Sequence, residues 1–147
     1  YGQIVPDTFL AKELKSPNIN HHGIIPVKER FNTMSQSHCF VVPASFAKNI
    51  KSEYRYSIPT KLPELLLSSR PVIIHGPKEM EAYRYCEENK CGVLIENNSI
   101  SYIKAKFTDI FCNFSHYNED AIQTSRKLMN NLSISVQSRR FQTFVLK

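Results

Sequence analysis

The sequence predicts an α/β fold, with a Rossmann-like, mainly parallel sheet and helices on both faces. Short apolar runs bounded by proline or glycine alternate along the chain with segments whose apolar residues recur every three or four positions. Such alternation is typical of repeated strand and helix units. The apolar runs show no polar alternation, as expected of strands covered on both faces. In folds of this class, ligands bind beyond the carboxyl ends of the strands.

Length and charge narrow the class of protein further. The 147 residues and the hydrophobic content of 41% fit one domain with a single core, so residues 1–147 are predicted to form one Rossmann-like domain. The net charge of +6 favours anionic ligands. The basic residues are scattered, which predicts no nucleic-acid partner. No apolar run reaches the length of about 18 residues that a membrane span needs, and the first residues do not resemble a secretory signal, so a cytoplasmic location is expected.

The first third of the chain is predicted to contain two helices and two strands. In order, these are a helix over 8–15, a short strand over 18–22, a helix over 26–35 and a strand over 38–43. Val27, Phe31 and Met34 have the spacing of one buried helix face. The last run is apolar without interruption until Pro43, which predicts an inner parallel strand.

The remainder continues the alternation after an irregular connection over 44–56. The predicted elements are a helix over 61–69, a strand over 71–74, a helix over 78–89, a strand over 93–95, and helices over 100–113, 119–130 and 133–147. Lys90-Cys91-Gly92 is expected to close the helix before it, and Asn118 to cap the helix after it. Loops 23–26, 43–46, 57–61 and 75–77 would then meet at one end of the sheet.

The four cysteines, Cys39, Cys86, Cys91 and Cys112, are predicted to be buried thiols. Three of them fall inside apolar runs or a helical pattern, where cysteine behaves as a small apolar residue. Cys86 and Cys91 are five apart, and no second pair completes a zinc site. No metal site is predicted.

The stretch over 57–77 contains the strongest candidate for a ligand site. The helix predicted over 61–69 follows Ser57 and Thr60, so its backbone N–H groups and these hydroxyls would face one anion. Lys61 adds a positive charge, and Glu64, one turn later, has the chemistry to accept hydrogen bonds from sugar hydroxyls. A second interpretation stays open, in which Ser57 and Thr60 only cap the helix and Glu64 is a solvated first-turn acid.

This stretch also carries a family resemblance. The pattern Ser57-x-Pro59-x-Lys61-x-x-Glu64 and the following Ser69-Arg70-Pro71-Val72-Ile73 resemble the donor-binding, C-terminal half of GT-B glycosyltransferases of the large retaining group (group 1, family 4-like). Further similar elements are Gly23-Ile24-Ile25-Pro26, Phe40-Val41-Val42-Pro43, Gly76-Pro77 and Cys91-Gly92-Val93-Leu94-Ile95. The likeness extends from Tyr1 to about Ile95, with the elements in the family's order.

The resemblance implies a site for a nucleoside-diphosphate sugar. Glu64 would accept hydrogen bonds from the ribose, the start of its helix would hold the diphosphate, and the main chain at Ile24 and Ile25 would face the base. The donor-binding residues so implied are Ser57, Ile58, Thr60, Lys61, Glu64, Ile24 and Ile25, with Tyr56, His75 and Gly76 as further candidates. His75 also has a second interpretation as a packing or loop residue. The resemblance implies no cofactor and no metal requirement.

Two departures from the family pattern limit what the chain is expected to do. Tyr56 stands where many relatives carry a second glutamate near the donor sugar. The arginine and lysine that relatives bring to the diphosphate precede the strand that ends at Tyr1-Gly2. The chain is therefore expected to be a C-terminal fragment that binds donor without turnover, and catalytic residues are left unassigned. An N-terminal domain would bind the acceptor, a saccharide or a lipid-linked glycan, with peripheral membrane association of the full-length enzyme.

Two alternatives to a glycosyltransferase share the architecture. A GT-B-type nucleotide-sugar epimerase would need catalytic acids and a histidine at the cleft, which the sequence does not place. A flavodoxin-like binding module would have a similar length and no enzymatic activity.

Overall fold

The structure is a computed structural model that describes residues 16–47 and 55–132 together with the isolated positions 135, 136, 138, 139 and 142. The chain divides into two compact units, Tyr1–Gln36 and Ser37–Lys147, and each is described by itself. The helix predicted over 8–15 and the strand end at Tyr1-Gly2 lie outside the described residues. The single-domain assignment of residues 1–147 stays a prediction.

In the first unit, the strand predicted over 18–22 is wrong. A turn closed by the Ile19 N–H and the Ser16 carbonyl (3.0 Å) is followed by irregular chain. Gly23 adopts a φ of +68°, and its N–H lies 3.3 Å from Nδ1 of His21. This local bond directs the Gly23 amide back toward its own chain, whereas a strand directs its amides to a neighbouring strand.

The helix predicted over 26–35 is confirmed in its extent, as a 3₁₀ turn over Val27–Glu29 that leads into helix α1 over Arg30–Ser35. Its predicted buried face is wrong. Met34 is buried, but Val27 and Phe31 are 72% and 73% exposed. Helical spacing places Val27 and Phe31 on the same face as Met34, but it does not determine what packs against that face.

In the second unit, three parallel strands confirm the predicted α/β fold. The strands β1 (Phe40–Pro43), β2 (Val72–His75) and β3 (Val93–Ile95) pair in the order β1-β2-β3. Ile73 of β2 lies opposite a residue of each neighbour. The predicted inner position of β1 is wrong within the described sheet, where it pairs only with β2, and Val41 is 46% exposed.

Helices occupy the connections and cover both faces of this sheet. The remaining helices are α2 (Leu62–Leu66), α3 (Glu81–Glu88), α4 (Ile100–Cys112) and α5 (Phe114–Leu132). Successive side chains of a strand point to opposite faces. Val72 and Ile74 therefore pack on the side of α2, α3 and the α5 residue Leu128, whereas Ile73 packs on Ile110 of α4.

The predicted helix boundaries hold for α3 and α4 and fail at α2 and α5. The helix predicted over 61–69 is only five residues long. Asn118 lies inside α5 and does not cap it. The Asn113 carbonyl instead accepts the N–H groups of His116 (3.0 Å) and Tyr117 (3.3 Å), so the chain enters α5 five residues earlier than expected. The described positions between 135 and 142 are helical, as predicted.

The end of α3 forms a Schellman motif, close to the predicted stop at Lys90-Cys91-Gly92. The Cys91 N–H bonds the Cys86 carbonyl (2.9 Å) and the Lys90 N–H bonds the Glu87 carbonyl (3.2 Å). Lys90 adopts a left-handed φ of +51°, and Gly92 follows with +72°. A Cβ at Gly92 would lie 3.0 Å from the Val72 carbonyl oxygen, so glycine permits this close approach to β2.

The prediction of buried thiols is correct for Cys86 and Cys91 and wrong for Cys112. Cys39 is half-buried, and Cys112 is exposed on the last residue of α4. Within the described part of the chain, no group of three or more histidine, cysteine or acidic side chains is arranged to hold a metal ion. No described helix combines the length and the apolar character that a membrane crossing requires.

Candidate functional site

The loops that follow the three strands meet at the carboxyl end of the sheet. The Ala44 N–H donates to the His75 carbonyl (2.8 Å), and the Gly76 N–H donates to the Ile95 carbonyl (3.0 Å). These bonds continue the pattern of the sheet beyond its last paired residues. The structure therefore brings together loops 43–46 and 75–77, as the sequence predicts, and adds the residues after β3. We call residues 43–46, 75–78 and 96–97 the carboxyl-end loops.

His75 stands at the centre of these loops, in contact with both neighbours. Its ring centroid lies 5.1 Å from that of Phe46, and its Nε2 lies 3.3 Å from the Asn97 carbonyl oxygen. Both contacts are with the protein itself. They favour the packing interpretation of His75 over ligand contact.

Gly76 is buried where the loops after β1 and β2 approach each other most closely. A Cβ at this position would lie 2.9 Å from Cβ of Ala44 and 3.1 Å from Sδ of Met80. The first distance is shorter than real Cβ contacts. The glycine is therefore required for packing, independently of any ligand.

A charged cluster that sequence reasoning missed lies beside these residues. Lys78 Nζ lies 2.6 Å from Oε2 of Glu96, and the Tyr83 hydroxyl donates to the same oxygen at 3.5 Å. Burial, reinforced by the negative charge of Glu87, raises the pKa of Tyr83. Glu96 is the first residue after β3, and that position is the one sequence signal that could have identified it. Its carboxylate neutralises Lys78 at the end of the sheet where ligands of such folds bind.

Helix α2 starts without the side-chain cap that the second interpretation assigned to Ser57 and Thr60. Its N-cap position is Lys61, and no side chain caps it. The Leu62 N–H instead bonds the Pro59 carbonyl (2.9 Å). Pro63 has no N–H to offer, so fewer donors need a cap. Ser57 and Thr60 are exposed, and capping does not explain their presence.

Glu64 lies in the first turn of α2 and is half-buried. Five residues, 67–71, separate Leu66, the last residue of α2, from Val72, the first residue of β2. In connections between parallel strands, the helix ends near the amino end of the sheet, where the next strand begins. Lys61, one turn from Glu64, is exposed.

The other predicted residues are largely at the surface. Tyr56 is 70% exposed and Ile58 is 36% exposed. Ile24 is exposed and Ile25 is half-buried, and both belong to the first unit. The described contacts therefore bring together His75 and Gly76 with the loop after β1. They do not join the Ser57–Glu64 segment to these residues.

Comparison with known proteins gave no match. No protein-family model, no curated protein and no solved structure is significantly similar to the chain.

Proposed function

We propose that the chain is the nucleotide-sugar-binding half of a glycosyltransferase, which transfers a sugar from a nucleoside-diphosphate donor to an acceptor. The observation that carries the proposal is the pattern Ser57-x-Pro59-x-Lys61-x-x-Glu64 on the connection between two parallel strands. In the GT-B family that the sequence resembles, this connection provides the donor site. The parallel sheet is the architecture that such a site requires.

Lys61 and the exposed hydroxyls beside it are the groups proposed to hold the diphosphate. Two phosphates need cationic and hydrogen-bonding partners that are not already engaged. Ser57 and Thr60 are exposed and do not cap α2. The cation at the carboxyl-end loops, Lys78, is by contrast paired with Glu96. The positive charge that would bind the diphosphate is therefore assigned to Lys61.

Glu64 is proposed to accept hydrogen bonds from the ribose hydroxyls. A carboxylate has two acceptor oxygens and suits a pair of neighbouring hydroxyls. Because α2 has only five residues, its dipole is weak, and the carboxylate and the lysine contribute most of the specificity.

Sugar transfer would require more than these residues. Stabilisation of the departing diphosphate is the contribution expected from this half, and a second domain would bind the acceptor saccharide or lipid-linked glycan. Binding without turnover is therefore the activity proposed for residues 1–147. A cytoplasmic location, with peripheral membrane association of the complete enzyme, belongs to the same proposal.

Titration with UDP, GDP and dTDP tests the proposal, with binding heat and melting temperature as readouts. One of the three should bind, and Glu64→Ala and Lys61→Ala should each weaken it by about tenfold, the effect of one charged hydrogen bond. Glu119→Ala and Lys104→Ala remove exposed charges of the same types from α5 and α4 and should leave affinity unchanged.

Two outcomes would count against the proposal. Absence of binding by all three nucleotides would remove its main support. Binding that is equally strong in Glu64→Ala would show that the ribose role is wrong.

A further inference from the structure

A groove of about 650 Å³ lies at the opposite, amino end of the sheet. Its walls are the middle of α5, the loop between α3 and β3, and the first residues of β2 and β3. Every lining residue belongs to the second unit. We call this cavity the amino-end groove. Its volume is within the range of sites that hold metabolite-sized ligands.

Basic side chains converge on this groove from four separate segments. Arg70 precedes β2, Lys90 follows α3, Lys106 belongs to α4 and Lys127 to α5. Among the described lining residues, the only carboxylate is that of Asp120, which also lies 3.5 Å from Nε2 of His116. Cations from independent elements surround a concave space, and this arrangement raises the local potential for anions.

Two of the groove lysines have no described counter-ion. Within residues 16–47 and 55–132, no carboxylate forms an ion pair with Lys90 or Lys127. Lys106 contacts the ring of Tyr102 at 6.0 Å from its centroid, and its charge acts on the Asp109 carboxylate. Like charges around one cavity repel one another, and a bound anion would relieve that repulsion.

A cysteine in the groove wall, Cys91, lies near one of these lysines. The Cys86 thiol donates a hydrogen bond to the sulfur of Cys91, which is the main cause of the lowered pKa of Cys91, and the charge of nearby Lys127 lowers it further against the opposing effect of burial. The charge of Lys127 therefore acts on the groove wall. The cysteine's neighbours Lys90 and Gly92 also line the cavity.

The lining also limits the kind of anion. Apolar side chains, Leu66, Val72, Leu94 and Leu128, form part of the wall, while amides such as Asn89 and Gln123 add hydrogen-bonding groups. A groove between a helix and the sheet suits a small molecule, because a nucleic-acid duplex needs a broader surface. Several cations around one ligand suit adjacent phosphate groups better than a single charge.

We propose that the amino-end groove binds a small molecule with two or more adjacent phosphate groups. The site is separate from the Ser57–Glu64 segment and does not depend on the glycosyltransferase proposal. Lys90 and Lys127 are its main anion-binding residues, since both are exposed and they belong to two different elements that line the groove, the α3–β3 loop and α5.

Calorimetric titration with inorganic pyrophosphate, orthophosphate and ADP tests the proposal. Pyrophosphate should bind more tightly than orthophosphate. The double variant Lys90→Gln/Lys127→Gln should weaken it by about tenfold or more, the loss expected for charge-assisted bonds. Tighter binding of ADP than of pyrophosphate would identify the ligand of the groove as a nucleotide. Tighter binding of pyrophosphate would identify it as an inorganic polyphosphate.

One control variant keeps the test specific. Lys104→Gln removes an exposed lysine of α4 that does not line the groove, and it should retain pyrophosphate affinity. The proposal is overturned if neither pyrophosphate nor ADP binds, if Lys104→Gln weakens binding as much as the double variant, or if the double variant keeps wild-type affinity.

Discussion

The two ends of the sheet differ in how their polar groups are used. At the carboxyl end, the three loops bond one another through Ala44, His75 and Gly76, and the charge of Lys78 is neutralised by Glu96. At the amino end, an open groove of about 650 Å³ is lined by several basic residues, of which Lys90 and Lys127 have no described counter-ion. The polar groups at the carboxyl end are thus used for packing and internal pairing. The amino end instead has an open space and positive charge without a described partner.

This difference changes how the carboxyl end is interpreted. Its position predicts a ligand site, but its central residues His75 and Gly76 already have structural roles. A ligand there would depend on the exposed segment with Lys61 and Glu64. The predictions that follow perturb one end at a time, in decreasing order of expected effect.

Gly76→Ala should lower the free energy of unfolding by about 2 kcal/mol, the range found for overpacking. The new Cβ would lie 2.9 Å from Cβ of Ala44. Urea denaturation measures the loss, and adding Ala44→Gly should recover part of it by removing the clashing atom. Equal stability of Gly76→Ala and wild type would show that the loops are less tightly packed than described. Pyrophosphate affinity should not change in either variant.

Ser125→Ala should lower the free energy of unfolding by about 1.5 kcal/mol. The Ser125 hydroxyl is fully buried and donates to the Leu67 carbonyl at 2.9 Å, which ties α5 to the end of α2 beside the groove. The variant leaves that carbonyl without this donor. Ser101→Ala, at an exposed position of α4, is the control for a serine lost from a helix. A loss no larger than that of the control would contradict the assigned role.

Lys90→Gly should raise the free energy of unfolding by roughly 0.5–1 kcal/mol. Lys90 holds a left-handed φ of +51° in the Schellman motif, which costs a residue with a Cβ more than it costs glycine. The same change removes a groove cation, so pyrophosphate affinity should fall while stability rises. A fall in pyrophosphate affinity together with a rise in the free energy of unfolding would show that the charge and the backbone conformation of Lys90 have separate effects. Reduced stability would contradict the backbone argument.

Tyr117→Phe should produce the smallest effect, visible in acid. Hydrogen bonds from the Tyr117 hydroxyl (2.6 Å) and the Asn113 amide (2.7 Å) hold the pKa of Asp109 below its ordinary 3.8. Because the folded pKa is depressed, this contribution is present above pH 3.8 and disappears as the pH falls through the folded value. The stability difference between wild type and Tyr117→Phe should therefore shrink below pH 3.8 in urea titrations. A difference that stays constant with pH would contradict the linkage.

The sequence predicted the parallel sheet because its strands are apolar runs with a proline or glycine next to at least one end, and these signals depend on neighbouring residues alone. The end of α3 was predictable for the same reason. The start of α5 was not, because Asn113 and Asn118 both suit a helix cap and only packing selects between them. The exposure of Val41 also depends on tertiary context, since an apolar run does not reveal that β1 lies at the edge of the sheet formed by the described residues.

The candidate site likewise has one part that local sequence predicts and one part that depends on tertiary packing. Residue types and order were sufficient to single out the Ser57–Glu64 segment. The pairing of Lys78 with Glu96 joins residues 18 positions apart, and the amino-end groove collects cations from four segments. Neither has a local sequence pattern, and both depend on how the helices pack against the sheet.

The comparison between the two ends of the sheet is tested most directly by the chemical shifts of the backbone amides. These are measured during a titration with whichever of UDP, GDP and dTDP binds most tightly. Our account predicts shift changes at Lys61 and Glu64, while amides of the amino-end groove at Lys90 and Gly92 respond to pyrophosphate. It also predicts that Glu64→Ala weakens the nucleotide response alone. Nucleotide-induced changes confined to Lys90 and Gly92, with none at Lys61 or Glu64, would contradict it and assign nucleotide binding to the amino end.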